Sequence, residues 1–169
     1  MKRMMITPVR MCWLFCVFVT TGCKNNHQYN SPPDPLFVSL PASSTGIKFQ
    51  NTVQDSREFN VFNYRNFYNG GGVAIGDINN DGLSDIYFTA NQGDNKLYLN
   101  KGNWKFEDIT KKSGTGGTKD WSTGVSMADV NGDGWLDIYV CNSGDIKGKS
   151  RENELFLNQQ NGTFTEVAA

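Results

Sequence analysis

Nine residues, Asp77 to Asp85, constrain this chain more than any other stretch in it. They read Asp-Ile-Asn-Asn-Asp-Gly-Leu-Ser-Asp, and the pattern returns at Asp129 to Asp137 as Asp-Val-Asn-Gly-Asp-Gly-Trp-Leu-Asp. The shared form is D-x-N-x-D-G-x-x-D. The shared positions hold three carboxylates and one amide oxygen, with no Lys or Arg in either copy. Like charges gathered in one loop repel unless a cation lies between them. Hard oxygen ligands on alternate residues, with Gly where the chain turns sharply, suit Ca²⁺. The expectation is about two structural Ca²⁺ ions per chain. The side chains of Asp77, Asn79, Asp81 and Asp85 and the carbonyl of Leu83 would surround one. Asp129, Asn131, Asp133, Asp137 and the carbonyl of Trp135 would surround the other. The competing expectation is a hairpin of Asx turns, in which Asp and Asn bond their own backbone without an ion.

The loop is not an EF-hand. That motif needs a Glu at position twelve and amphipathic helices on both sides. Position twelve here is Phe88 in one copy and Val140 in the other. The flanks instead alternate like strands. Val73 and Ile75 precede the first loop and Ile86 and Phe88 follow it; Val125 and Met127 precede the second and Ile138 and Val140 follow it. Period two with β-branched and aromatic enrichment predicts two antiparallel strands joined by each loop.

The repeat extends further and sets the fold. Asp77–Asn91 aligns with Asp129–Ser143 at an offset of 52, and Asn95–Asn100 with Asn153–Asn158 at an offset of 58. A short polar insertion within Gly144 to Arg151 makes the difference. Phe106–Thr110 then aligns with Phe164–Ala168. Each unit reads as strand, acidic loop, strand, short loop, strand with Leu97 and Leu99 inward, a turn at Gly102 or Gly162, and a last strand. Four short antiparallel strands in about 50 residues is the size of a β-propeller blade. Gly46–Thr52 looks like a stray final strand of such a unit.

These residues carry a resemblance. The D-x-N-x-D-G-x-x-D loop between strands, followed by Asn95-Lys96-Leu97-Tyr98-Leu99-Asn100 and Phe106-Glu107-Asp108-Ile109-Thr110, resembles the FG-GAP/VCBS repeat. That repeat builds the β-propellers of integrin α-subunits and occurs in bacterial proteins similar to cartilage acidic protein, often beside an ASPIC/UnbV domain. The Phe-Gly pair of the repeat's name is absent; Gly71-Gly72-Val73 and Thr123-Gly124-Val125 stand in its place. The resemblance covers roughly residues 46–169. It implies an all-β fold of propeller blades, with units at about 70–110 and 123–169, and a Ca²⁺ role for the eight side chains named above. Two complete units are fewer than the roughly four to eight of a closed propeller. The chain is therefore expected to be the N-terminal piece of a longer protein, with further blades as partners.

Residues 1–22 read as a secretory leader: Lys2, Arg3 and Arg10 are its only charges, and Met11 to Val19 is too short to span a bilayer. Thr21-Gly22-Cys23 resembles a bacterial lipoprotein signal, which implies lipidation at Cys23 and a lipid anchor at the outer membrane. Residues 23–45, with Pro32, Pro33, Pro35 and Pro41, read as a tether. It holds His27, the only His. Past the leader, thirteen basic side chains face seventeen acidic ones, which does not suggest nucleic acid as a partner. Cys141 is the one Cys in the body, so no disulfide framework is possible there.

The function these features suggest is a non-catalytic, Ca²⁺-rigidified, membrane-tethered module that binds a protein or glycan. Trp104, Trp121, Trp135, Tyr64 and Tyr68 are candidate contacts, although Trp121 and Tyr68 are expected to pack between blades. The alternatives are part of a propeller-type polysaccharide lyase or hydrolase, or a fragment with no independent function. Without His in the body, Ser-His-Asp and Cys-His chemistry is excluded there.

Overall fold

The computed structural model describes residues 35–143 and 151–168. The leader, Cys23, His27, the tether up to residue 34 and the insertion at 144–150 lie outside the described residues. Residues 35–38 belong to a unit of their own and carry neither helix nor strand. Everything below concerns the unit that begins at Ser39.

Two four-stranded antiparallel sheets make up that unit. The first holds β1 (Val73–Gly76), β2 (Asp85–Phe88), β3 (Lys96–Asn100) and β4 (Phe106–Asp108), in that spatial order. The second holds β5 (Ser122–Ala128), β6 (Asp137–Asn142), β7 (Glu154–Asn158) and β8 (Phe164–Glu166), again in order. The repeat thus predicts the strand sequence and the all-β class. Each acidic loop sits in the first hairpin of its sheet, between β1 and β2 or between β5 and β6. Two single helical turns, α1 (Ala42–Thr45) and α2 (Thr110–Ser113), were not foreseen. Each ends on a left-handed Gly, Gly46 or Gly114, whose N–H closes the turn.

One face of the first sheet, its back, packs on one face of the second, its front. Register puts Ala74 beside Tyr87 and Tyr87 beside Leu97, so these three share the back. Ile78, Leu99 and Ile109 join them. Val125 lies beside Val140, and Met127 beside Ile138, which in turn is beside Phe156; Phe164 sits on the same side through Asn158. These two surfaces form a single buried apolar cluster, with Leu136 at its margin. Gly72 lets the backbones meet: a Cβ there would stand 2.7 Å from the Thr123 carbonyl oxygen.

The period-two strands form as read, and the structure adds which face is covered: Val73 and Ile75 are 55% and 66% exposed, and Ala74 between them is buried. A sheet apolar on both faces does not announce which face is covered. Gly46–Thr52 carries no strand, and β4 and β8 fill the final-strand position of both sheets. Side chains hold it instead: Phe49 stacks on Phe88 at 4.9 Å, and the Lys48 N–H donates to the Tyr98 hydroxyl at 3.2 Å.

Candidate functional site

The acidic loops are tight because their ends are strand partners. Gly76 pairs with Asp85 and Ala128 with Asp137, so the last acidic position opens the next strand. Two left-handed residues turn each loop: Asn80 (φ 58°) and Gly82 (φ 83°) in one, Gly132 (φ 77°) and Gly134 (φ 85°) in the other. Asn tolerates that region where most side chains do not. Nothing stands within 4 Å of a Cβ on Gly82 or Gly134, so φ alone demands the glycine.

The side-chain oxygens converge on the loop interior. The Asp81 N–H donates to Asp77 Oδ1 and to Asn79 Oδ1, both at 3.2 Å, which places those two oxygens together. The Gly82 N–H donates to Asp77 Oδ2 at 2.7 Å and the Leu83 N–H to Asp81 Oδ1 at 2.8 Å. Asn79 Nδ2 reaches Asp81 Oδ2 at 2.9 Å. The second loop repeats this bond for bond. The Asp133 N–H donates to Asp129 Oδ1 at 3.1 Å and Asn131 Oδ1 at 3.0 Å. The Gly134 N–H donates to Asp129 Oδ2, the Trp135 N–H to Asp133 Oδ1, and Asn131 Nδ2 to Asp133 Oδ2. Leu83 and Trp135 thus enter both networks through their N–H groups.

Asp85 and Asp137 differ from the rest, being fully buried. Asp85 accepts from the Ile78 N–H at 3.0 Å and the Asn100 N–H at 2.7 Å. Asp137 accepts from the Val130 N–H at 3.0 Å and the Asn158 N–H at 2.8 Å. Each carboxylate therefore ties its loop to the end of the third strand of its sheet. Burial pushes the Asp85 carboxyl above its ordinary value; the two N–H donors oppose this, and the Asp81 and Asp77 charges add to it. Asp133 shifts the other way, held down chiefly by the Trp135 N–H.

Both expectations for the loops meet this geometry. The bonds to loop amides are those of Asx turns. Among the described residues, no three or more His, Cys, Asp or Glu side chains are gathered as a metal-holding group. Yet the donor set suits a hard cation, with oxygens of Asp77, Asn79 and Asp81 adjacent and Asp85 one strand-start away. The ion pairs of Lys96 with Asp94 and Asp108, and of Lys119 with Glu152, lie outside both loops.

Sequence reasoning missed two other features. The first is an aromatic cluster in which Phe59, Tyr64 and Phe67 close around Trp121, at centroid distances of 4.6, 5.5 and 5.2 Å. Trp121 is 2% exposed, as expected for a residue packed inside, whereas Tyr68 is 63% exposed. Residues 59–68 carry no strand periodicity that could have announced the cluster. The second is a polar chain beneath the sheet ends. Asn95 Nδ2 donates to the Ser122 hydroxyl, which donates to Asn142 Oδ1; Asn142 Nδ2 donates to buried Glu154, which also accepts from the Thr118 N–H. Asn95, repeated as Asn153, was the available signal; nothing in the spacing marks Glu154 as buried. An open groove of about 390 Å³ also lies between residues 48–52 and β3, lined by Lys48, Gln92, Asp94, Lys96 and Tyr98 among others.

Comparison with known proteins places this geometry. Residues 77–140 match the FG-GAP-like repeat family. The chain is 37% identical over 119 residues to cartilage acidic protein 1 of Homo sapiens, an alignment covering 69% of this chain and 18% of that protein. It is 41% identical over 78 residues to cartilage acidic protein 1 of Xenopus tropicalis, covering 46% of this chain and 12% of that protein. The chain spans less than a fifth of the length of these relatives. The family match begins at the first loop and ends within β6, so it covers the element that the two sheets repeat, and the chain is an FG-GAP repeat protein.

Proposed function

We propose that this propeller-type repeat module binds Ca²⁺ at both acidic loops and serves as a non-catalytic binding or adhesion module, exported and tethered to a membrane through Cys23. The observation that carries the metal reading is duplication. Two loops that differ at four of nine positions keep the same carboxylates, the same amide and the same inward hydrogen bonds. Turn formation alone does not require three acids in each copy. Ca²⁺ would replace the loop N–H groups as partner of Asp77, Asn79 and Asp81, and would favour the ionised form of Asp85, whose burial otherwise opposes charge. The ion's part would be to cross-link two strands. Exposed aromatic side chains such as Trp104, 70% exposed, are candidate contacts for a protein or glycan.

The test is a calorimetric Ca²⁺ titration of the chain beside the double variant Asp81→Asn, Asp133→Asn, with thermal unfolding followed in parallel. The expected stoichiometry is about two ions per chain with affinity on the order of 10⁻⁴ to 10⁻³ M, the weak range of extracellular Ca²⁺ sites. At a hundredfold excess over Kd each site would add about 2.7 kcal/mol of stability. A folded chain that neither takes up Ca²⁺ nor gains thermal stability from it would return the loops to Asx turns.

A further inference from the structure

An Asn followed by Gly is chemically labile, because a residue without Cβ lets its own nitrogen approach the carbonyl carbon of the Asn side chain. The chain carries three such pairs: Asn69–Gly70, Asn131–Gly132 and Asn161–Gly162. All three asparagines are exposed, so water reaches each of them. Hydrogen bonding separates them. Asn131 Oδ1 accepts from the Asp133 N–H at 3.0 Å, its Nδ2 donates to Asp133 Oδ2 at 3.0 Å, and the Gly132 N–H is itself held on Asp129 Oδ1 at 2.7 Å. Asn161 Oδ1 accepts from both the N–H and the hydroxyl of Thr163, at 2.9 and 2.6 Å. The Asn69 side chain and the Gly70 N–H make no hydrogen bond among the described residues; only the Asn69 N–H does, to the Asn66 carbonyl at 3.1 Å. There is also room at this pair, since nothing stands within 4 Å of a Cβ built on Gly70.

We propose that Asn69 is a site of spontaneous deamidation whose isoaspartyl product loosens the contact between the two sheets. Hydroxide takes the proton of the Gly70 N–H, and that nitrogen adds to Asn69 Cγ. The bond from Cγ to the side-chain nitrogen then breaks, and ammonia leaves with a proton from water. Water opens the resulting succinimide at either carbonyl. Opening at Cγ gives an ordinary Asp. Opening at the main-chain carbonyl gives isoaspartate, in which the chain runs on through Cβ and Cγ and is longer by a carbon. The residues that follow leave no slack for that carbon. The Gly70 carbonyl accepts from Nδ2 of the buried Asn91 at 3.1 Å. A Cβ on Gly71 would stand 2.1 Å from the Thr89 carbonyl oxygen, and one on Gly72 2.7 Å from that of Thr123 in the second sheet. Just upstream, Phe67 is fully buried against Trp121 at 5.2 Å. A longer main chain between these two fixed points displaces one of them, because a packed interior transmits strain.

This inference does not depend on the metal reading. The test ages the full chain without Ca²⁺ in warm, mildly alkaline buffer, digests it at acidic pH, and reads all three asparagines by peptide mass spectrometry. Asn69 is expected to convert roughly tenfold or more faster than Asn131 or Asn161, whose hydrogen bonds must break before the ring can form. In urea those bonds are gone, and the three rates should converge. Fragmentation that separates the two products should find isoaspartate at position 69. Thermal unfolding followed by Trp fluorescence should show aged wild type less stable than fresh, and aged Asn69→Gln unchanged. Fresh Asn69→Asp, which adds the charge without lengthening the chain, should stay close to fresh wild type. Asn131 or Asn161 converting as fast as Asn69, the same spread of rates in urea, an Asn69→Gln chain that weakens on ageing like wild type, or a fresh Asn69→Asp chain as weak as the aged protein would each overturn the proposal.

Discussion

Ile138 and Ile86 occupy the same place in the two sheets, and truncating each to Ala separates a covered face from an open one. Ile138 is 0% exposed at the centre of the inter-sheet cluster, flanked by Met127 and Phe156. Ile86 is flanked by Ile75 and Tyr98 on the front of the first sheet and is only partly buried. Ile→Ala removes three carbons, worth about 2.4 kcal/mol at ~0.8 kcal/mol per buried methylene. At Ile138 two sheets enclose the site, and the cavity left behind raises the loss to about 3–4 kcal/mol. At Ile86 the neighbouring face is open, no closed cavity forms, and about 1.5 kcal/mol is expected. Urea unfolding of dilute protein, followed by dichroism and by Trp fluorescence, reads the difference. With m near ~2 kcal/mol/M, the midpoints should fall by about 1.5–2 M and about 0.75 M respectively. Equal losses at unchanged m would refute the assignment of front and back.

Three further perturbations test separate parts of the argument. Gly72→Ala should cost more than Gly82→Ala: the first puts a methyl 2.7 Å from a backbone oxygen, while the second meets no atom within 4 Å and carries only the roughly 1–2 kcal/mol of a left-handed backbone; chemical denaturation of both variants checks the order. Tyr87→Phe removes the hydroxyl that donates to the Thr115 carbonyl at 2.6 Å and should cost about 1–2 kcal/mol at neutral pH. Burial raises the Tyr87 pKa above its ordinary 10.0, so its contribution is complete below that value and lost as pH rises above it; the variant should therefore show a shallower alkaline decline in melting temperature. Asp85→Asn retains one acceptor oxygen where Ile78 and Asn100 now use two, so about 1–3 kcal/mol should be lost at neutral pH without Ca²⁺, and the stabilisation by added Ca²⁺ should shrink. Because burial raises the folded Asp85 pKa above 3.8, the protonation-linked part of the stability of ion-free protein is present below that value and falls as pH rises through the shifted one, a segment that the variant should flatten, while the two N–H bonds persist at neutral pH.

Most of the fold was legible because the chain states it twice. One copy of the Asp-rich loop is a turn between two short apolar runs; two copies in register with Asn95–Asn100 and Asn153–Asn158 define a unit and its strand order. What the repeat could not state is which surface of each unit is covered. Val73 and Val125 are the same residue at the same place, yet one is 55% exposed and the other packs against the core. The difference comes from what lies across from them: Val125 packs against the cluster that contains Ala74, with Gly72 close to its backbone, whereas among the described residues no sheet covers Val73. Position in a stack is a property of neighbours, so identical local sequence gives different burial. The same reasoning explains why the loop ligands were easier to name than to separate into roles. Spacing identifies Asp77, Asn79, Asp81 and Asp85 together, but only the packed sheet shows that Asp85 is sealed under Ile78 and Asn100 while Asp81 faces solvent. A carboxylate sealed by backbone N–H groups holds the loop to its sheet with or without an ion. If the loops bind the proposed ion, Asp77, Asn79 and Asp81, which face the loop interior, would exchange those bonds for the cation, while Asp85 would add its charge without giving up its hold on the sheet.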